Sequence, residues 1–251
     1  MQFPVELHFG KNSIPLHALM ETVGFFIGFR YFLFLRKKQG DVIESNNRTW
    51  ILIGAIFGAL AGSRLIGSLE RPTELVTAKN IWEYIYNNKT VLGGFLGGLF
   101  GVELIKKILG EKHSSGDLFT YPMLLALIIG RIGCFSMGVY EETYGTPTKL
   151  FTGIDLGDGL MRHPVSLYEI VFLGLLWLGL RKVEKIYLLA EGGKFKIFMI
   201  AYMLFRFLLD FIKPSYHIVF GLSTIQLTAI FGLLYYYRYI VHPTKLLRTN
   251  A

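Results

Sequence analysis

The sequence predicts an all-α, polytopic membrane protein with seven transmembrane helices, its N-terminus outside and its C-terminus cytoplasmic. Three observations carry that expectation. The composition is 52% hydrophobic with a mean hydropathy of +0.44. The apolar residues fall in repeated runs close to the ~20 residues a helix needs to cross a bilayer core. Lys and Arg gather in alternate connections between those runs, as the positive-inside rule requires.

The runs place spans at roughly 14–35, 50–69, 91–109, 118–139, 164–180, 195–212 and 218–240. The first has no basic segment ahead of it and is followed by Arg36-Lys37-Lys38 without a small-residue cleavage site, so it reads as a retained helix and not as a signal peptide. The second carries Gly54, Gly58 and Gly62, and the third Gly93-Gly94, Gly97-Gly98 and Gly101. Small residues at four-residue spacing let backbones approach, so these read as helix-packing faces. The fifth and sixth runs are joined by 184–196, an amphipathic surface connection with Gly192-Gly193. No low-complexity tract or shift in composition divides the chain, which reads as one integral membrane domain over 1–251 with an external loop at 140–163.

Orientation follows from the connections. One side holds seven basic residues: Lys11; Arg71, Lys79 and Lys89; Lys149 and Arg162; Lys213. The other holds fifteen, from Arg36 to Arg248, and is therefore cytoplasmic. An even number of spans would destroy this asymmetry. The net charge of +8 does not point to nucleic acid, because the basic residues sit at the ends of apolar runs, where they anchor topology. The single cysteine, Cys134, rules out an internal disulfide, and an apolar helix interior argues against its acting as a nucleophile.

Arg64, Arg131 and Arg206 fall at one depth, in the outer halves of the second, fourth and sixth spans. An ionisable group within a span costs at least ~2.5 kcal/mol, so it normally faces a cavity or a partner. Helix-to-helix pairing is the bland explanation, with Asp210 one turn from Arg206; acidic partners at that depth are too few for all three. A guanidinium fork is permanently charged and matches phosphate oxygens two at a time, so arginines at this depth suit a phospholipid headgroup. Glu103, on the inner half of the third span, reads as a structural partner of Lys106 or Lys107.

The segment Gly130-Arg131-Ile132-Gly133-Cys134-Phe135, followed by Gly138 and by Tyr144-Gly145-Thr146-Pro147-Thr148, resembles the signature of the prolipoprotein diacylglyceryl transferase family. Arg162-His163-Pro164-Val165-Ser166-Leu167-Tyr168-Glu169 is similar to that family's Arg-His-Pro stretch. Phe205-Arg206 with Asp210-Phe211, Gly62-Ser63-Arg64 and Gln226 extend the likeness, in order, over nearly the whole chain.

The resemblance implies transfer of a diacylglyceryl group from phosphatidylglycerol to the lipobox cysteine thiol of a prolipoprotein, at the outer face of a bacterial inner membrane. The partners implied are phosphatidylglycerol, the prolipoprotein signal peptide and membrane lipids, with no nucleic acid, cofactor or metal. Arg131 and Arg206 match the family's essential lipid-binding arginines. Two departures stand out. The family's His-Gly-Gly is Leu92-Gly93-Gly94 here, and asparagine positions of the signature fall on Cys134 and Met137, with Val139 replacing an acidic residue. A short insertion, Glu141-Glu142-Thr143, reads as an exposed loop turn more simply than as a relocated carboxylate.

A thiol with a pKa near ~8.5 needs a group to take or attract its proton. His17, at the outer end of the first span, is the first candidate, and His163 the second. The residues expected to carry catalysis are thus Arg131, Arg206, His17 and His163. Arg64, Gly130, Gly133, Gly138, Gly145, Arg162, Tyr168, Glu169, Asp210 and Gln226 are expected around the substrate. Two other readings compete: a phospholipid-binding protein without chemistry, or a diverged transferase with another acceptor. A transporter fits less well, since the ionisable residues share one depth instead of forming a route.

Overall fold

Each of the seven apolar runs contains a helix, the arrangement that satisfies backbone N–H and C=O groups within a segment where no water is at hand. The computed structural model describes residues 3–10 and 12–248, so Lys11 of the charge count lies outside the described residues. A hairpin of β1 (Glu6–Phe9) and β2 (Asn12–Pro15) leads into α1 (Leu16–Gln39) and α2 (Ser45–Ser68). Two short helices, α3 (Pro72–Thr77) and α4 (Ile81–Asn87), precede α5 (Val91–Leu109) and α6 (Asp117–Met137). After a 3-10 turn at Gly138–Tyr140 come the small strands β3 (Ile154–Asp155) and β4 (Met161–Arg162), then α7 (Val165–Ile186) and α8 (Gly193–Leu209). A hairpin of β5 (His217–Val219) and β6 (Leu222–Ser223) is followed by α9 (Thr224–Tyr235) and α10 (Tyr237–Val241). Of these, α1, α2 and α6 are long and apolar enough to cross a membrane by length and composition.

The last run departs from the expected 218–240. Its first residues form the β5–β6 hairpin, which turns through Phe220 at φ +53° and Gly221 at φ +71°. Helix begins at Thr224 because Ser223 caps it: the Ser223 hydroxyl accepts the Gln226 N–H at 3.1 Å, and the Gln226 side-chain oxygen accepts the Ser223 N–H at 3.0 Å. A capping box sets a helix start more sharply than hydropathy does. Ile14 likewise belongs to β2, and α7 extends to Ile186, taking in part of the connection expected at 184–196. The helices α3 and α4, in the 70–90 connection, went unread because each spans fewer than eight residues.

Glycines build two helix pairs. Gly58 on α2 faces Gly97 on α5 so closely that a Cβ on either would collide with the other's carbonyl oxygen, and Gly62 and Gly93 meet in the same way. The expected packing faces are therefore each other's partners. On the other side of the molecule α1 lies on α6, where a Cβ at Gly24 would sit 3.0 Å from the Ala126 carbonyl oxygen. A core of Leu92, Leu124, Leu173, Phe198, Tyr202 and Met203 joins α5, α6, α7 and α8. At the start of α2, Arg48 is 1% exposed and donates through Nε to Asp41 Oδ2 at 2.8 Å and through Nη1 to the Ser115 carbonyl at 3.1 Å, tying α2 to two neighbouring loops. Glu103 pairs with Lys106 at 3.5 Å.

Candidate active site

Two buried guanidinium groups share one buried carboxylate. Arg131 on α6 places Nε 2.9 Å from Glu169 Oε1, and Arg206 on α8 donates through Nη1 to Glu169 Oε2 at 3.0 Å. Tyr202, one turn before Arg206, donates its hydroxyl to Glu169 Oε1 at 2.7 Å. Glu169 is 1% exposed, so its charge is stabilised only by these donors. With two cations to one anion, the trio carries a surplus positive charge, and the Arg206 Nε is a buried donor with no hydrogen-bond partner.

These groups sit on a cavity of about 1480 Å³ between the α1–α6 and α2–α5 pairs. Arg64, Arg131, Arg206 and His17 all line it, and its walls carry Phe25, Phe29, Ile56, Phe95 and Leu99. The volume exceeds the about 300–1,000 Å³ of a site for a drug-sized molecule. Apolar walls with guanidinium groups at one level suit acyl chains below an anionic head. Arg64 lies over the Tyr86 ring, 4.9 Å from its centroid, which orients the guanidinium without neutralising it.

Glu70 and Lys213 line the same cavity from the loops beyond α2 and α8. Burial pushes the Glu70 carboxyl above the ordinary carboxylate range, against the pull of Lys213 and Arg206. Burial, with the Arg206 charge, pushes the Lys213 ammonium below its ordinary value.

His17 opens α1 beside Cys134. Its Nδ1 lies 3.1 Å from Glu141 Oε2 and its Nε2 3.7 Å from Glu21 Oε2, while Lys89 holds both Glu21 oxygens at 2.8 and 2.9 Å. Arg131 donates through Nη1 to the Cys134 sulfur at 3.3 Å, joining this cluster to the arginine pair. The insertion is thus not a uniform loop turn. Glu141 is half-buried and faces His17, whereas Glu142 is exposed and pairs with Arg71. The 3-10 turn at Gly138–Tyr140 swings Glu141 inward, and the Thr143 hydroxyl pins the loop to the Cys134 carbonyl at 3.4 Å.

Other expected site residues do structural work in this arrangement. His163 Nδ1 meets the Tyr168 hydroxyl at 3.2 Å, and neither residue is among those lining the cavity. Arg162 pairs with Asp158 at 2.6 Å and lies over the Tyr144 ring, stitching the external loop. The Gly145 N–H donates to the His163 carbonyl at 3.0 Å, and Gly138, at φ +60°, packs on Phe3 and Leu156. Asp210 accepts a hydrogen bond from Ser223 and makes no ion pair with Arg206, while Gln226 is spent on the cap of α9. Gly130 faces open space on the cavity, and Gly133 lies against His17. Leu92, at the family's histidine, is fully buried in the core, so no titratable group stands there.

Sequence reasoning missed Glu70, Lys213 and Tyr202, and set Glu141 aside as part of a loop turn. Glu70 and Lys213 follow the C-terminal ends of two arginine-bearing helices, a signal available in the charge pattern. Tyr202 had one too, at i−4 from Arg206 on the same helical face. For Glu141 only the departure from the family pattern was visible.

The fold and site define a helical membrane protein with an arginine-lined, apolar-walled cavity. Residues 4–241 match the family model described as prolipoprotein diacylglyceryl transferase. The chain belongs to that family. It is 30% identical over 249 residues to the phosphatidylglycerol–prolipoprotein diacylglyceryl transferase of Cupriavidus metallidurans, covering 90% of this chain and 85% of the relative. The enzyme of that name from Campylobacter hominis is 31% identical over 212 residues, covering 79% and 74%, and that of Rickettsia bellii 26% identical over 247 residues, covering 92% and 90%.

Proposed function

We propose that this protein transfers the diacylglyceryl group of phosphatidylglycerol to the lipobox cysteine of a prolipoprotein, at the outer face of a bacterial inner membrane. In this reading the chain crosses the membrane seven times as a single domain with its N-terminus outside, and the arginines lie near the outer leaflet. The observation that carries the reading is the sharing of Glu169 by Arg131 and Arg206 at the head of an apolar cavity.

In this reading the acyl chains lie along the apolar walls and the phosphate meets the arginines. The acceptor sulfur attacks the glyceryl methylene carbon, the C–S bond forms, and the C–O bond to phosphate breaks with its electron pair leaving on glycerol phosphate. The thiol proton is lost to solvent or to a neighbouring base. Charge grows on the phosphate as the bond breaks, so fixed guanidinium donors at that point stabilise the transition state more than the ground state. In this reading Arg64, on the cavity wall, adds a further cation, and His17, beside Cys134, acts on the acceptor thiol. The test is reconstitution with phosphatidylglycerol and a fluorescent lipobox peptide. A mass gain of one diacylglyceryl group on the peptide cysteine is expected; lipid binding without any gain would overturn the assignment.

A further inference from the structure

We propose that His17, Cys134 and Glu141 form a zinc site whose open fourth position takes the sulfur of the acceptor. The imidazole, thiol and carboxylate donor atoms lie within 4.8 Å of one another. His17 Nδ1 and Glu141 Oε2 face each other at 3.1 Å, yet both are buried without a hydrogen-bond partner. Burying such atoms unpaired is costly, and a cation between them removes the cost.

The donor set is chemically specific. One nitrogen, one sulfur and one oxygen ligand with a position to spare is the composition of a catalytic zinc centre, at bond lengths of about 2.0–2.3 Å. A thiolate and a carboxylate bring two negative charges to a dication. Glu21 stands 3.7 Å from the other ring nitrogen, held by Lys89 just beyond hydrogen-bond distance. Drawn in when a metal binds, it fixes the tautomer that turns Nδ1 toward the ion. Arg131 donates to the Cys134 sulfur, and Glu169 on the far side of Arg131 offsets the repulsion between guanidinium and metal.

Three parts of the fold bring the donors together. Gly133 lets α1 approach α6 so closely that an added Cβ would sit 3.1 Å from the His17 Cα. The Val5 N–H donates to the Ser136 carbonyl at 2.8 Å and the Leu16 N–H to the Val5 carbonyl at 3.0 Å, tethering the start of α1 to the end of α6. The 3-10 turn then returns Glu141 over both.

The role of the fourth position rests on the transferase reading. An acceptor thiol that binds there loses its proton to solvent and becomes a thiolate at neutral pH. Its lone pair then forms the C–S bond while the C–O pair departs with glycerol phosphate. The product thioether, uncharged, is a weak ligand and vacates the site. This supplies thiol activation in a chain whose buried Leu92 offers no titratable group at that position.

The experiment uses the full-length protein, stripped with a chelator in nanodiscs and titrated with Co²⁺ alone. One Co²⁺ per chain with a thiolate-to-cobalt charge-transfer band is expected, displaced by Zn²⁺. Cys134→Ser removes the band, and Glu21→Gln weakens binding about 10–100-fold without removing a ligand. Retained phosphatidylglycerol binding shows that each variant is folded. Adding a lipobox peptide perturbs the cobalt spectrum, and its Cys→Ser version does not. No cobalt binding, or a band that survives in Cys134→Ser, overturns the site; binding unaffected by the peptide overturns the fourth-ligand role. Absence of transfer by the zinc-loaded protein, with the peptide still perturbing cobalt, counts against the transferase reading and not against the site.

Discussion

Arg131 on α6 and Glu169 on α7 lie 2.9 Å apart, and the same carboxylate reaches Arg206 on α8 at 3.0 Å, so one anion organises cations from separate helices. Removing that anion leaves two buried like charges facing each other. Glu169→Gln is expected to cost about 3–5 kcal/mol. Thermal unfolding in nanodiscs reads the loss, and a variant as stable as the parent would refute the shared-carboxylate account.

Arg131→Ala and Arg206→Ala are each expected to lower transfer about 10²–10³-fold, the effect of deleting one donor to a developing oxyanion. Lysine at either position restores little, because a point charge lacks the planar fork. Both variants insert in the membrane. The comparison to make is initial rate at saturating phosphatidylglycerol, and a near-parental rate in either alanine variant refutes the phosphate role.

His17→Ala is expected to reduce transfer strongly while leaving phosphatidylglycerol binding unchanged. His17 touches neither arginine directly and reaches the pair only through Cys134, whose sulfur accepts from Arg131. Near-normal transfer by this variant removes His17 from the mechanism. His163→Ala, by contrast, loosens the external loop through Tyr168 and is expected to raise KM for the peptide more than it lowers kcat.

Gly58→Val is expected to fail at the helix pair. The added Cβ meets the Gly97 carbonyl oxygen, a backbone atom that cannot swing aside, so α2 must separate from α5. A stability loss of about 1–3 kcal/mol or more follows. Gly130→Ala, where a Cβ meets open space, is the matched control and is expected to be neutral in stability.

Asp41 makes the Arg48 anchor between α1 and α2 pH-dependent. Burial disfavours its charge, but hydrogen bonds from Arg48 and the Ile43 N–H, with the charges of Arg48 and Arg36, outweigh this and hold its carboxyl below the ordinary range. Its contribution is therefore complete above the unfolded value of ~3.9 and is lost as pH falls through the lower folded one. The melting difference between the parent and Asp41→Asn is expected to be constant from pH 7 to 5 and to shrink below pH 4. A difference that grows on acidification would contradict the assignment.

Periodicity and charge made the helices legible, with 91–109 read at its true limits. The arginines were legible because a charge among apolar residues is a local anomaly. Leu92, Cys134 and Glu141 were visible only as departures from a pattern, and what replaced the missing histidine was not readable from them. The β5–β6 hairpin was hidden because Ile218, Val219 and Phe220 are as apolar in a strand as in a helix.

By itself, the order of residues determined which segments are helical and which carry charge within an apolar run, since both depend on neighbours within a few turns. That Glu169 would bridge two arginines, that Asp210 would turn to Ser223, and that Glu141 would face His17 across Cys134 was decided only in the folded chain. The reason is physical: a buried charge is neutralised by whichever partner the helix packing brings within about 3 Å, and that choice is made between segments far apart in sequence.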